Sequence, residues 1–298
     1  MTTSYDFLKY RSWCFVFSLL IFSVFLGGIF YKRSTRGSAF IYSVDFTGGT
    51  QVLLGFSQSI SSEEVIAQLE AQGLTGTTAR EFSDSEVLVR VKDFEADAKG
   101  LGERIKSTLE EKLENQVVTI KQTDSVGAGV GSELRRNSFW AVVISLIGML
   151  LYIGWRFQSL AFAVGSVVAL LHDAIVILAF VLWFDYEISL NIIGAVLFIL
   201  GYSINDTIVI FSRIRENLAH MKNVTVETVV NTSINDTLRR TILTSIATLL
   251  VVVSLLVFGG EALRTLALAL FIGMIFGTYS SIYIASPVML LLNNRTRR

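Results

Sequence analysis

The chain has 298 residues, of which 52% are hydrophobic and 17% are charged, with a formal net charge of +0 and a mean hydropathy of +0.58. Soluble domains carry about 25% charged residues, so this composition excludes an ordinary soluble protein and indicates a multi-pass membrane protein. The zero net charge implies no nucleic-acid partner. A single cysteine excludes an internal disulfide, and the two histidines have no metal-ligand spacing, so no metal site is predicted.

The N-terminal region predicts a retained membrane helix. Residues 1–12 form a short polar leader, which we place in the cytoplasm, and residues 13–30 are apolar throughout. Tyr31-Lys32-Arg33 follows this apolar run where a signal peptide would have a small-residue cleavage site. We therefore predict that the first transmembrane helix spans residues 13–30.

Residues 31–138 predict an extracytoplasmic α+β domain and its linker. Residues 38–46 and 50–56 have the composition of strands, with Gly48-Gly49 as a turn between them. Ser61 and Glu64 have the spacing of a capping box that opens a helix. The whole segment predicts the order ββαββαβ with a mostly antiparallel sheet. Its acidic residues are interpreted as solvated surface, and none indicates catalysis.

The remaining sequence predicts five more transmembrane helices, which completes a polytopic α-helical fold of six. Arginines cluster in the short loops on one side, so the positive-inside rule places both termini in the cytoplasm. The predicted segments are 139–155, 160–184, 190–212, 241–258 and 265–292 as membrane helices, 213–240 as a cytoplasmic amphipathic segment along the membrane surface, and 293–298 as a cytoplasmic tail.

The fourth predicted helix carries the most informative residues, Asn205 and Asp206, inside its apolar run. A carboxylate at that depth costs about 2.5–3.5 kcal/mol on insertion scales, so a partner charge or a watery cavity is expected. Arg239 or Arg240, at the start of the fifth helix, could extend toward Asp206. A carboxyl group that alternates between a shielded and an arginine-paired environment could take up and release a proton. A static ion pair that fixes helix packing is the open alternative.

Small residues predict that a second carboxylate also faces the bundle interior. Gly165, Ala169 and Asp173 follow one face of the third helix, and Gly194 and Gly201 lead to Asn205 on the fourth. Such stripes let helix backbones approach closely in lipid. Asp173, with the adjacent His172, could supply a second protonatable station.

Two other membrane functions fit less well. An intramembrane aspartyl protease needs YD in one helix and GxGD in the next, whereas the two helices here contain LHDA and SINDT. A channel would need a ring or loop that lines a pore, and the sequence shows none.

Three motifs closely resemble the signature stretches of the SecF family, which lies within the resistance–nodulation–division (RND) superfamily. They are VDFTGG at 44–49, GYSINDT at 201–207 and RIREN at 213–217. The resemblance implies six membrane helices with one outside domain between the first two. It also implies a non-enzymatic subunit that works with SecD beside the SecYEG channel. That complex uses the proton-motive force to draw unfolded exported polypeptides across the bacterial cytoplasmic (inner) membrane.

The resemblance also assigns roles to particular positions. Asp206 and Arg240 match the family's proton-pathway pair, so protons are the coupling ion and no other cofactor is implied. Membrane lipid surrounds the helices. Ala128 stands where the family pattern has proline, which puts the rigidity of this linker in question. Scaffolding without proton coupling and RND-type export of small molecules stay open as alternatives. The predicted motif and structural residues are Asp45, Phe46, Gly48, Gly49 and Gly201.

Overall fold

The computed structural model describes residues 5–74, 76–83, 85–91, 98–113, 116–221 and 223–296. The chain forms two compact units, which we call the membrane unit and the α+β unit. The membrane unit takes residues up to Ile41 and from Trp140 onward, and the α+β unit is Tyr42–Phe139.

The helices follow the apolar periodicity of the sequence. A 3₁₀ turn at Leu8–Tyr10 precedes the first of them, and a π-helical segment at Ser281–Ala285 separates the last two. The helices are α1 Arg11–Arg36, α2 Val44–Thr47, α3 Ser62–Ala71, α4 Ala98–Lys112, α5 Ala128–Phe157, α6 Leu160–Trp183, α7 Leu190–His220, α8 Val226–Phe258, α9 Gly260–Ser280 and α10 Ser286–Thr296.

Within the described residues, six helical stretches are long and apolar enough to cross a membrane. They are α1 with its leading turn, α5, α6, α7, α8, and the run from α9 through the π-helical segment into α10. This confirms the predicted polytopic helical class. Helix α9 packs against α6, α7 and α8, and α1 packs against α6. About half of the apolar part of α6, of α7 and of the α9–α10 run is buried within the chain, whereas α1, α5 and α8 expose most of theirs.

The predicted surface segment 213–240 is wrong as a separate element. Its first part is the end of α7, and from Val226 onward it is the first half of α8, which continues without a break into the predicted span 241–258. Thr225 caps α8 by accepting a hydrogen bond from the backbone N–H of Thr228 at 3.2 Å. The apolar residues that suggested a membrane surface, Val229 and Ile234, are buried in the protein instead.

The strands belong mainly to the α+β unit. They are β1 Ile41–Tyr42, β2 Gly49–Phe56, β3 Thr78–Ser83, β4 Glu86–Val91, β5 Val118–Val126 and the short β6 Glu187–Ile188 in the membrane unit. Strands β3, β4, β2 and β5, in that spatial order, form an antiparallel sheet. Apolar residues of β2 and β4 pack with those of α3 and α4 to form the core of the unit.

The predicted strand over 38–46 is wrong. Within this range only Ile41–Tyr42 forms a strand, which lies outside the four-stranded sheet, and Val44–Thr47 forms the helical turn α2. Ser43 caps this turn, because its hydroxyl oxygen accepts a hydrogen bond from the backbone N–H of Asp45 at 3.3 Å. Serine is among the residues favoured at a helix N-cap, and Ser43 has the extended backbone (φ −69°, ψ 171°) that is typical of this position.

Gly48 lies at a close approach between two backbone segments of the α+β unit. Its φ is +75°, and a Cβ atom there would stand 2.6 Å from the Cα of Ala128. Only glycine suits both the left-handed φ and this contact. Ala128 is the first residue of α5, a position where proline is also accepted. The helix begins here without the proline of the family pattern.

Two cations of α1 bind the acidic turn after α6. Lys32 Nζ and Arg36 Nη1 each lie 2.5 Å from an Asp185 carboxylate oxygen. Burial would raise the pKa of Asp185, but the hydrogen bonds from Lys32 and Arg36 outweigh it and hold the pKa below its usual value. This cluster joins α1 to α6 at one end of the membrane unit.

We expect this cluster to make stability pH-dependent. Because the folded-state pKa of Asp185 is lowered, its contribution is fully present above the unfolded pKa of about 3.9 and is lost as pH falls through the folded value. Asp185→Asn should cost at most about 1 kcal/mol, since the pair is partly exposed. Asparagine tolerates the positive φ of this residue, +55°. Thermal unfolding of the purified protein in detergent checks this. The stability gap between original and variant should narrow steadily as the pH falls below about 4, and a gap that stays constant over that range would contradict the assignment.

Candidate functional site

Asp173 joins three helices at the centre of the membrane unit. It lies on α6 and is fully buried. Its Oδ2 accepts a hydrogen bond from Ser203 Oγ of α7 at 2.6 Å and another from Ser280 Oγ of α9 at 2.8 Å. Gly277 leaves the space for this contact, since a Cβ there would stand 3.2 Å from the Cβ of Ser203. The buried carboxyl group is thus held by two hydroxyl donors.

His172 lies beside this carboxyl group but on the α1 side of α6. Its Nδ1 is 3.2 Å from Asp173 Oδ1, and its ring packs against Phe276 and Tyr279. Among the described residues, His172 Nε2 is buried without a hydrogen-bond partner. The ring also lines an almost entirely apolar pocket of about 210 Å³ between α1 and α6, where Ser18 is the other polar residue. The predicted proximity of His172 to Asp173 is therefore present in the structure.

A second polar layer surrounds the start of the π-helical segment. Thr207 Oγ1 and Ser281 Oγ are 2.9 Å apart, and Ser281 Oγ also lies 3.0 Å from the backbone oxygen of Gly277 and 3.3 Å from that of Ser203, either of which can accept its hydroxyl hydrogen. Ser286 Oγ donates to the backbone oxygen of Ser281 at 3.1 Å. A π-helical turn leaves backbone groups to be satisfied in this way, and such turns are frequent at functional sites.

Asp206 is buried on α7, with only 3% of its surface exposed. Its Oδ2 is fully enclosed and has no hydrogen-bond partner among the described residues. Arg240 of α8 is near enough for its charge to act on this carboxyl group. Even so, the described side chains make no ion pair within 4 Å between the two. The charges of the two predicted partners can thus act on each other without direct contact between the side chains. Arg240 is exposed.

Asn205 is placed differently from its neighbour. It lies on the exposed face of α7. Adjacent residues of a helix point about 100° apart, so the inward orientation of Asp206 turns Asn205 outward. The structure therefore does not bring Asn205 into the site around Asp206.

Arg213 of α7 and Asp236 of α8 form an ion pair between the two helices. Arg213 Nε donates to Asp236 Oδ2 at 2.8 Å, and Asn217 Nδ2 donates to the same oxygen at 3.2 Å. Asp236 lies in the segment 213–240 that was predicted to follow the membrane surface, and it is exposed, but its contact with Arg213 was not predicted. The signal that could have found it is spacing, because Arg213 follows Asp206 by two turns and Asp236 precedes Arg240 by one turn on an antiparallel neighbour.

The small-residue stripes have different roles. A Cβ at Gly165 would stand 2.7 Å from the backbone oxygen of Ala285, so α6 and the last helix are in close backbone contact there. At Gly194 and Gly201 a Cβ would meet nothing within 4 Å. The predicted close packing along this α7 stripe is therefore wrong for the described part of the chain, because the stripe faces away from the neighbouring helices.

The motif residues near the start of the α+β unit form a local structure of their own. Ser43 Oγ donates to Asp45 Oδ2 at 2.9 Å, and Phe46 is buried, with 4% of its surface exposed. Gly48 and Gly49 both have positive φ, +75° and +108°. The motif is thus a capped helical turn followed by a two-glycine corner that leads into β2.

Comparison with known proteins identifies the family. Residues 105–295 match the family described as protein export membrane protein SecD/SecF, C-terminal, and residues 40–60 match the SecD/SecF GG motif. The chain belongs to the SecD/SecF family. The protein translocase subunit SecF of Pseudomonas aeruginosa is 38% identical over 289 residues, which cover 97% of this chain and 91% of that protein.

Relatives that join SecD and SecF in one chain match only in part. The protein translocase subunit SecDF of Thermus thermophilus is 36% identical over 94% of this chain and 37% of its own length. The crystal structure of SecDF, a translocon-associated membrane protein from Thermus thermophilus, superposes with a TM-score of 0.86 at 34% identity. The match covers 98% of this chain and 39% of that one. The chain therefore has the fold of one part of that longer relative.

Proposed function

We propose that this chain is the SecF subunit of a bacterial Sec accessory complex. With SecD, it would use the proton-motive force to promote late steps of protein export through the SecYEG channel. The observation that carries the proposal is the enclosed carboxyl group of Asp206, on which the charge of Arg240 acts although the described residues form no ion pair between the two, in a chain 38% identical to a translocase subunit SecF.

The geometry around Asp206 suits a proton-dependent movement. An enclosed carboxylate oxygen without a hydrogen-bond donor is costly in its charged form. Protonation removes that cost while Arg240 stays apart. Approach of Arg240 instead stabilises the ionised form, because arginine keeps its charge in protein environments. The two protonation states thus favour two separations of α7 and α8, and this difference can couple proton transfer to movement.

Asp173 and His172 are proposed as a second station of the same pathway. The Asp173 carboxyl group has a titratable neighbour at 3.2 Å, and both its serine donors come from other helices. A proton change at Asp173 would alter the contacts of α6 with α7 and α9. Asn205, on the exposed face of α7, would contact water, lipid or SecD. Protons are the only coupling species in this proposal, and no cofactor takes part.

The proposed topology places the N-terminus, the α7–α8 turn and the C-terminus in the cytoplasm of a multi-pass inner-membrane protein. Arg156, Arg213 and Arg215 mark that side, and Asp185 and Glu187 mark the other. The α+β unit would then lie outside, where it could contact exported polypeptides.

Asp206→Asn tests the proposal. The change keeps the shape of the side chain and removes its titration, so secretion should fall to the level of cells that lack the subunit. Export of a reporter precursor is measured in cells depleted of their own SecF. Membrane abundance of the variant and its co-purification with SecD are held equal to the original.

Asp185→Asn is the matched control, because it makes the same chemical change in a carboxylate away from Asp206, at the turn after α6. It should leave secretion close to the original. A scaffold without proton coupling is the competing function, and the hydrogen bonds that join Asp173 to α7 and α9 would serve it as well. Normal secretion by the Asp206→Asn variant would reject the proton role of Asp206 and leave scaffolding as the function of the chain.

A further inference from the structure

We propose that Arg213 acts as a positioning residue that holds Asp236 away from Arg240, so that Arg240 stays available to Asp206. The inference rests on the proposed function, because it concerns the charge partner of Asp206. It assigns roles to two residues, Arg213 and Asp236, that the predicted proton pathway does not contain.

Two carboxylates and two arginines lie on the antiparallel helices α7 and α8, with one of each on either helix. Asp206 and Arg213 lie on α7, about 10 Å apart along the axis at 1.5 Å per residue. Asp236 and Arg240 lie on α8, one turn apart. Each helix therefore contributes one acid and one arginine to the α7–α8 contact. The Arg213–Asp236 pair is formed, with 2.8 Å between Nε and Oδ2, whereas Asp206 and Arg240 are apart.

Asp236 is a natural competitor for Arg240. Residues four apart on a helix are neighbours, and an acid that precedes a base by four positions has the favourable orientation. In the structure Asp236 points to α7 instead, where Arg213 Nε and Asn217 Nδ2 both donate to its Oδ2. Asn217 is itself fixed by a hydrogen bond to Ser233 Oγ at 2.9 Å. Two donors of α7 thus keep the carboxylate turned away from Arg240.

Arg213 is also kept in place from its own helix. Its Nη1 donates to Glu216 Oε2 at 2.8 Å, one turn further along α7. The guanidinium group therefore binds two carboxylates at once through different nitrogens, as its fork of donors allows. If Arg213 were removed, Asp236 would keep Arg239 and Arg240 as neighbouring cations on its own helix, α8. An Asp236–Arg240 pair would neutralise the arginine that Asp206 needs.

The test compares Arg213→Gln, Asp236→Asn and the double variant in the secretion assay, with assembly with SecD held equal. Arg213→Gln frees the competing carboxylate, so secretion should fall markedly toward the level of Asp206→Asn. Asp236→Asn removes the competitor and should secrete close to the original. The double variant should also secrete close to the original, because the defect of Arg213→Gln requires the Asp236 carboxylate.

A purely structural ion pair predicts a different pattern. If the pair only joins α7 to α8, the two single variants have equal defects and the double variant is no better than either. That pattern overturns the inference. If Arg213→Gln does not accumulate, Arg213→Lys replaces it, since lysine keeps the charge but lacks the Nε donor. The Arg213→Lys variant should have a smaller secretion defect than Arg213→Gln, and adding Asp236→Asn should restore its secretion. If secretion is not restored, the inference is rejected.

The same experiment separates this inference from the proposed function. Normal secretion by Asp206→Asn rejects the proton role, and the inference falls with it. Failure of Asp206→Asn together with normal secretion by Arg213→Gln rejects only the role of Arg213.

Discussion

Gly165→Ala is expected to destabilise the membrane unit strongly, although it adds a single methyl group. The new Cβ would lie 2.7 Å from the backbone oxygen of Ala285 and 3.1 Å from the Cβ of Met289. Neither α6 nor the last helix can relieve this contact by turning a side chain. Overpacking of this kind typically costs about 1–3 kcal/mol. Thermal unfolding in detergent and the amount of protein in the membrane measure the loss.

Gly201→Ala is the matched control on α7. A Cβ there would meet nothing within 4 Å, and alanine favours a helix over glycine by roughly 0.5–1 kcal/mol. The purified protein should therefore unfold at the same or a slightly higher temperature. Equal destabilisation by the two changes would show that Gly165 does not set the distance between its helices. A normally stable Gly201→Ala variant that no longer co-purifies with SecD would mean that this face of α7 contacts the partner.

Asp173→Ala is expected to have the other large effect on stability. The change removes the acceptor that Ser203 and Ser280 share, and it opens a void between three helices. Ser280 Oγ keeps a second acceptor, the backbone oxygen of Gly277 at 3.0 Å, whereas that oxygen lies 3.5 Å from Ser203 Oγ. An unsatisfied buried donor costs about 1–3 kcal/mol, so the weakened bonding of Ser203 together with the void should cost on the order of 2 kcal/mol. Asp173→Asn should stay folded, because the amide oxygen can accept both hydrogen bonds.

Comparison of the two variants separates packing from proton transfer at Asp173. A folded Asp173→Asn protein that no longer supports secretion would assign this carboxyl group to the proton pathway. A folded and active one would leave it as a contact that joins α6, α7 and α9. An Asp173→Ala protein as stable as Asp173→Asn would contradict the hydrogen-bond argument itself.

The membrane helices could be predicted from sequence because the bilayer leaves few alternatives. A spanning segment must satisfy its backbone polar groups internally, so long apolar runs form helices. The inward placement of Asp173 and Asp206 was predicted from the small-residue stripes of their helices, and the cost of an ionisable residue exposed to lipid favours the same placement. Both carboxyl groups are buried in the structure. Their proton roles stay predictions, because burial alone does not distinguish a titrating group from a fixed contact.

The course of α8 could not be predicted in the same way. Val229, Val230 and Ile234 form an apolar stripe that suits a membrane surface and a neighbouring helix equally well. The sequence does not say which of these covers the stripe, and in the structure these residues are buried in the protein. The same ambiguity concealed Asp236, whose partner Arg213 becomes its neighbour only through the antiparallel packing of α7 and α8.

Small residues were also ambiguous. Gly165 and Gly201 both lie in glycine-containing stripes of apolar helices, yet only Gly165 is at a backbone contact within the described chain. A missing side chain permits close approach but does not specify a neighbour. The separation of Asp206 from Arg240 was hidden for a related reason, because two opposite charges at compatible depths predict contact and give no distance.

The π-helical segment has a consequence for how this protein can evolve. It adds one residue to a turn, and the wider turn takes up that residue, so the helix on either side keeps its facing. Before the segment Ser280 faces Asp173, and from its last residue onward Ala285 and Met289 face Gly165. Loss of a single codon from 281–285 would therefore convert the wide turn to a regular α-helical turn while both halves keep nearly the same neighbours. Such a deletion would act mainly on the polar layer around Ser281, whose hydroxyl group lies close to backbone oxygens of Gly277 and Ser203.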